Sequence, residues 1–206
     1  MITSVIIEKF NLYTDDTSEL SSSEELALAE KIYKKVLNFK DWEFLKKAHT
    51  DTQSTTLEYI ALPADFRSIA INYELYDEPA QVIFIGSNYQ PYKVIPFSNR
   101  RSYRDQDGYA YIDARQSRLY FTKQPSSADA IEFDYIYKPD ALTLSTSPVF
   151  DADYHDMIYH GMVLDFYSID MTPKGGIYDS ENQESYVDYL EAMSEDDFKF
   201  YGGLSY

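Results

Sequence analysis

The apolar residues of this chain change period twice, and that switch limits the folds open to it. They recur at about 3.6 residues at the start, at about 2 through the middle, and at about 3.6 again after Pro148. Ile2, Val5, Ile6, Phe10 and Tyr13 fall at helical spacing, with Thr3 or Ser4 as cap, so the pattern predicts a first helix over roughly residues 3 to 13. Asp15-Asp16-Thr17-Ser18 breaks it. In Ser21-Ser22-Ser23-Glu24-Glu25 a serine N-cap is followed three residues later by Glu, which satisfies orphan donors at a helix start. The predicted second helix has the stripe Leu26, Ala29, Ile32, Tyr33, Val36 and Leu37, ends near Phe39, and leads to an aromatic anchor of Trp42, Phe44 and Leu45.

From about Thr52 to Leu144 the chain reads as short runs rich in Thr, Tyr, Ile, Val and Phe, separated by turn residues such as Asp77-Glu78-Pro79 and Asp107-Gly108. Strands are expected near 54 to 61, 67 to 75, 80 to 85, 92 to 96, 108 to 112, 117 to 121 and 130 to 138, with antiparallel pairing. After Pro148, Tyr154, Met157, Ile158, Gly161, Met162, Asp165 and Ile169 share a helical face, which Thr172-Pro173-Lys174-Gly175-Gly176 is expected to end. A last helix from about Ser180 would carry Tyr186, Val187, Leu190 and Met193. The expected fold is therefore α+β: a helical bundle from the N- and C-terminal helices (1–50 and 146–206) with an inserted antiparallel β domain (51–145).

Charge and composition narrow the function. Eighteen basic against 35 acidic side chains give −17, a surface that repels phosphate backbones and anionic lipid. The absence of cysteine removes disulfides, thiolate metal sites and cysteine nucleophiles together. The start has no basic n-region and no apolar run is long enough to span a membrane, so cytoplasmic synthesis is expected. Aromatics make 17 % of the chain, with 21 Tyr, a side chain suited to wet contact surfaces between subunits.

Candidate chemistry is sparse. Asp151 with His155, or Asp156 with His160, would share a helix face at i,i+4, but either pair lacks a third metal ligand; an acidic helix start with a satisfied histidine is the simpler reading. Asp105-Gln106-Asp107-Gly108 has part of a calcium-loop pattern without its remaining carboxylates, and reads as an Asp-Gly turn. No G-x-S-x-G, Walker loop or H-E-x-x-H is present, and no pair among 35 acids stands out for glycoside hydrolysis. Catalytic, metal and cofactor sites are therefore not expected. Arg100, Arg101 and Arg104 form the one dense basic patch: a solvated turn if free, or a contact to the acidic surface of a neighbouring copy. Phe198, Phe200, Tyr201, Leu204 and Tyr206 follow the acidic Ser194-Glu195-Asp196-Asp197 and are expected to form an interaction segment rather than core.

A series of motifs carries a resemblance. Trp42-Glu43-Phe44-Leu45, then Leu62-Pro63-Ala64-Asp65-Phe66, Leu119-Tyr120-Phe121, Tyr135-Ile136-Tyr137-Lys138-Pro139-Asp140-Ala141-Leu142, Pro148, Phe150 and Tyr154-His155-Asp156-Met157-Ile158-Tyr159 follow in an order that resembles the head-to-tail adaptor (connector, neck or tail tubular) proteins of tailed bacteriophages. The resemblance implies a non-enzymatic virion protein of the neck: a dodecameric ring joining the portal to the tail or nozzle, around a channel through which DNA passes without specific binding. It also implies a terminal extension that docks on the portal. Two departures stand out, Gly161-Met162 where relatives tend to be alanine-rich and the aromatic tail beyond Met193. The competing class is a tyrosine-rich polysaccharide-binding module, against which the helical ends count.

Overall fold

The computed structural model describes residues 1–14, 20–53, 56–73, 75–76, 78–123, 128–169 and 175–201; the side chains of 168–169, 175–180 and 198–201 are not described. The chain divides into two compact units, Met1–Phe44 with Pro139–Tyr206, and Leu45–Lys138. The fold is mixed α+β, with four α-helices in the first unit and a mostly antiparallel sheet in the second, counted among the described residues.

In the helical unit, α1 (Thr3–Thr14) buries Thr3, Ile6, Ile7 and Phe10. That i, i+3, i+4, i+7 stripe turns Val5 and Tyr13, expected inside, to the rim, because Thr3 is pinned by its N–H and Oγ1 to the Thr146 carbonyl at 2.9 and 2.7 Å. Helix α2 (Ser22–Leu37) opens as expected: the Glu24 carboxylate accepts from the Ser21 N–H at 2.8 Å and Oγ at 2.6 Å, and the side-chain bond holds its pKa down. Its buried stripe includes Ala29, Ile32, Tyr33, Val36 and Leu37, but Glu25 replaces Leu26 inside, accepting from Asn11 Nδ2 at 2.8 Å. Beyond α2, Trp42 is fully buried and donates its indole N–H to the Val36 carbonyl at 2.9 Å.

Helix α3 (Asp156–Ile169) buries Met157, Ile158, Met162 and Val163, and α4 (Gly175–Tyr201) buries Leu190 and Met193. The last helix is longer than the sequence suggests at both ends. Gly175-Gly176 opens α4 instead of ending α3, since glycine's penalty of about 1 kcal/mol applies in a helix interior and is weaker at an end. Helix α1 packs on α2 and α3, α2 on α3, and α3 on α4. Gly161 is the close approach: a Cβ there would lie 2.5 Å from Ile32 Cγ2 and 3.0 Å from the Tyr186 ring, so the glycine that departs from the alanine-rich expectation is required by packing.

The sheet unit holds β1 (Lys46–Thr52), β2 (Tyr59–Ala61), β3 (Phe66–Ile69), β4 (Ile71–Asn72), β5 (Ala80–Ile85), β6 (Gln90–Ile95), β7 (Tyr109–Asp113), β8 (Arg118–Phe121) and β9 (Ala130–Tyr137), in the order β1-β9-β5-β6-β7-β8-β2, with β3 on β9 and β4 on β5. Strand β9 organises it, pairing β1, β3 and β5. The expectation of wholly antiparallel pairing is corrected at one place: β6 and β7 run parallel, from Lys93 opposite Tyr109 to Ile95 opposite Tyr111. Residues 96–108 supply the crossover of a dozen or more residues that parallel pairing needs, using a 3-10 turn, Phe97–Asn99, where a helix would be usual. Strand β1 has no counterpart in the sequence reading, because Lys-Lys-Ala-His-Thr-Asp-Thr shows no apolar alternation. Ile60, Ile69, Ile83, Leu119, Ile131 and Phe133 centre this unit's core.

Candidate functional site

Within the sheet unit, two of the motifs distant in sequence meet. Asp65 of Leu62-Pro63-Ala64-Asp65-Phe66 accepts from the Tyr135 hydroxyl at 2.9 Å and from Lys47 Nζ at 2.7 Å, while the Phe66 ring stacks on Tyr135 at 5.9 Å. The bond from Lys47 holds the Asp65 carboxyl below its ordinary pKa. Asp65 also accepts the Lys138 N–H on its own carbonyl at 2.6 Å. These residues staple the sheet; their groups are consumed in doing so.

Cross-strand register builds a second feature that sequence reasoning did not single out. Tyr59 lies directly opposite Tyr120, and Tyr120 opposite Tyr111, so three rings line up across β2, β8 and β7. Their centroids are 5.4 and 5.3 Å apart, the second pair within 6° of parallel. Phe97 extends the row, 5.9 Å from Tyr111, and each end is closed by a guanidinium: Arg100 lies 3.8 Å from the Phe97 ring and Arg118 4.0 Å from Tyr59. Phe97 is 40 % exposed and the three tyrosines are half-buried, whereas Ile60, Ala110 and Leu119 between them face the core. The period-2 alternation of Tyr59-Ile60 and Leu119-Tyr120 was its only signal in the sequence.

The expected basic patch is thus divided. Arg100 donates to the Phe97 carbonyl at 2.8 Å and belongs to the ladder, whereas Arg101 is exposed and Arg104 sits 3.7 Å from the equally exposed Asp105. Asp107-Gly108 forms the plain turn expected: Gly108 has φ +82°, and Asp107 accepts from the Tyr92 hydroxyl at 2.5 Å and the Gly108 N–H at 3.0 Å. Burial together with that carboxylate pushes the Tyr92 hydroxyl up to about 12.

The helical unit contains a cavity of about 480 Å³ lined by Phe44, Phe150, Tyr154 and Met193, with Asp151, Asp153, Asp196 and Asp197. Two of the four acids are held inward. Asp197, 3 % exposed, accepts the Glu43 and Phe44 N–H groups at 3.0 and 3.2 Å and pairs with Lys40 at 3.1 Å; Asp196 accepts from the Tyr154 hydroxyl, which burial and that carboxylate push up to about 12. The acidic stretch that precedes the aromatic tail therefore clamps the backbone of Glu43 and Phe44. Asp151 accepts the Asp153 N–H at 3.1 Å, and both residues are exposed.

The two histidines of the helical unit are structural in geometry. His155, 2 % exposed, bonds the Phe150 carbonyl through Nε2 at 2.9 Å. His160 Nδ1 meets Asn182 Oδ1 at 2.9 Å, and Asn182 donates to the Tyr13 hydroxyl at 2.9 Å. Burial lowers both imidazole pKa values, and Asp156 is engaged by Lys9 at 2.6 Å. Among the described residues no three His, Asp or Glu side chains converge on a metal position. Leu204 and Tyr206, and the side chains of Phe198, Phe200 and Tyr201, lie outside the described residues.

The units differ sharply in charge. The helical unit has 7 lysines, no arginine and 23 acidic residues, net −16; the sheet unit has 5 lysines, all 6 arginines and 12 acidic residues, net −1, together the −17 of the chain. No helix of the described residues is long and apolar enough to cross a membrane. What the molecule offers is two surfaces, an aromatic face ended by arginines and an acid-rimmed aromatic cavity, both suited to contact with other proteins. No curated protein matches the chain. The model of the SU10 adaptor protein family matches residues 6–198, spanning both units. The chain therefore belongs to the SU10 adaptor protein family, a family of phage head-to-tail adaptors, and is a structural component of a phage virion.

Proposed function

We propose that this chain is the repeating subunit of a dodecameric neck ring that joins the portal to the tail or nozzle proteins and continues the DNA channel. The family match over residues 6–198 is the observation that carries the reading, since it covers both units. The charge agrees with it: a helical unit of −16 turned toward a channel would let DNA slide without sticking, because carboxylates repel the phosphate backbone. In this reading the four helices form the bundle of the adaptor core and the chain has no catalytic role. Arg100, Arg101 and Arg104 meet acidic groups of an adjacent subunit. Phe198, Phe200, Tyr201, Leu204 and Tyr206 anchor to the portal or to the next subunit.

Negative-stain imaging of the purified chain with its cognate portal protein tests the proposal. Twelvefold rings seated on the portal are the expected result; a chain that stays monomeric with portal and tail proteins present overturns it. Deletion of Phe198 to Tyr206 tests the tail separately, with portal attachment lost and melting temperature nearly unchanged.

A further inference from the structure

We propose that the tyrosine ladder of the sheet unit, ended by Arg100 and Arg118, is a docking face for the helical unit of a second copy of this chain, where Asp151 and Asp153 rim the aromatic cavity. The proposal rests on the oligomeric reading above and names the surfaces that would meet.

The ladder is built to contact something outside its own core. The intervening residues Ile60, Ala110 and Leu119 fill that core, so the row of rings is surplus to it. Its cations are held in advance: Arg100 is bonded to the Phe97 carbonyl and Arg118 donates to Gln116 Oε1 at 3.0 Å, while Gln116 also accepts from the Tyr120 hydroxyl at 2.8 Å. Guanidinium groups already stacked on rings lose little further freedom on binding.

The charge partition argues for a second copy as the occupant. Every arginine of the chain lies in the sheet unit, and a helical unit of −16 is the complementary surface that every copy supplies. At the cavity mouth Asp151 and Asp153 are exposed, over a floor of Phe44, Phe150 and Tyr154. Carboxylates beside aromatic rings are what a forked, planar cation recognises. Contact between two different surfaces of one chain is heterologous, the type that builds rings. A sugar platform needs free ring faces, but Tyr111 and Tyr120 stack on each other at 5.3 Å. Single-stranded nucleic acid is disfavoured by the net charge of −17.

Sedimentation velocity of the full chain at low and high ionic strength, with a charge-reversal cycle, tests the proposal. Arg100→Glu with Arg118→Glu should weaken self-association on the order of tenfold or more, as should Asp151→Lys with Asp153→Lys, and all four changes together should recover part of the loss, that of the arginine seated at the cavity. The milder Arg100→Gln with Arg118→Gln, checked by melting temperature, serves if a reversed variant does not fold. Association unaffected by either pair, or a loss that the combined variant does not recover, overturns the docking face and leaves the oligomeric reading standing. A wild-type chain that is monomeric at every ionic strength, alone and with portal, ends both. Binding of a glycan or of single-stranded DNA that Tyr120→Ala abolishes, with self-association intact, also overturns it.

Discussion

The helical and sheet units both pair lysine with aspartate, but only the sheet unit adds arginine. In the helical unit lysines tie the chain together: Lys9 to Asp156 at 2.6 Å, Lys31 and Lys35 to Asp165 at 2.6 and 3.1 Å, and Lys40 to Asp197 at 3.1 Å. In the sheet unit charges are nearly balanced, and arginine is used beside aromatic rings, where its planar group stacks. One unit therefore repels polyanions while the other presents organic surface. The proposed neck ring, meeting several proteins around DNA, would have use for both.

If the helical unit depends on tight interlocking, emptying its centre should have the largest effect. Ile32→Ala should cost about 2–5 kcal/mol in denaturant unfolding, since Ile32 is 2 % exposed and packs against Gly161. A loss under about 0.5 kcal/mol would place Ile32 on the surface. Next comes the clamp on the turn before the sheet: Asp197→Ala takes the acceptor from two backbone N–H groups and the ion pair from Lys40, which keeps its bonds to Ser194, an expected loss of about 1.5–3 kcal/mol by thermal or chemical melting. The change Gly161→Ala forces a methyl toward the stiff, β-branched Ile32, and should destabilise by about 1–3 kcal/mol despite alanine's better helix propensity. A stabilised variant would show that the helices can part without loss.

The pH response separates the units again. His155 and His160 both lie in the helical unit and have pKa values lowered by burial from the ordinary 6.5. The unfolded chain binds protons at a higher pH than the fold does, so stability should be complete above that ordinary value and fall as pH drops through it, toward the lowered folded values. Melting temperature followed from neutral to mildly acidic pH should show this drop, and His160→Gln should flatten it; a flat wild-type curve would mean that both rings take up protons without strain. The smallest effect belongs to the half-buried ladder. Tyr120→Ala should cost about 0.4–2 kcal/mol, the size of its two cross-strand pairs, while abolishing self-association if the ladder is a docking face.

Much of the helical unit was legible because its signals are local. Ser21 and Glu24 are three residues apart and meet as a capping box whatever surrounds them, and of the expected helical stripes Ile32, Val36, Met157, Ile158, Met162, Leu190 and Met193 are buried, whereas Val5, Tyr13 and Val187 are exposed and Leu26 lies at the rim. The alternating run of β9 was equally plain, as Ile131, Phe133 and Tyr135 show.

What only the tertiary structure decided are the partnerships between residues far apart. Strand β1 carries no pattern of its own and exists because β9 offers it seven aligned partners, from Lys46 opposite Ile136 to Thr52 opposite Ala130. Asp65 looks like a turn residue until it is found beneath Tyr135 and Lys47, and Asp197 like part of an acidic linker until it is found bonded to the backbone of Glu43 and Phe44. The tyrosine row needs the registers of three strands before it is a row at all. Capping and periodicity are set by covalent spacing and can be read along the chain, whereas register and burial of charge depend on which distant segment supplies the partner.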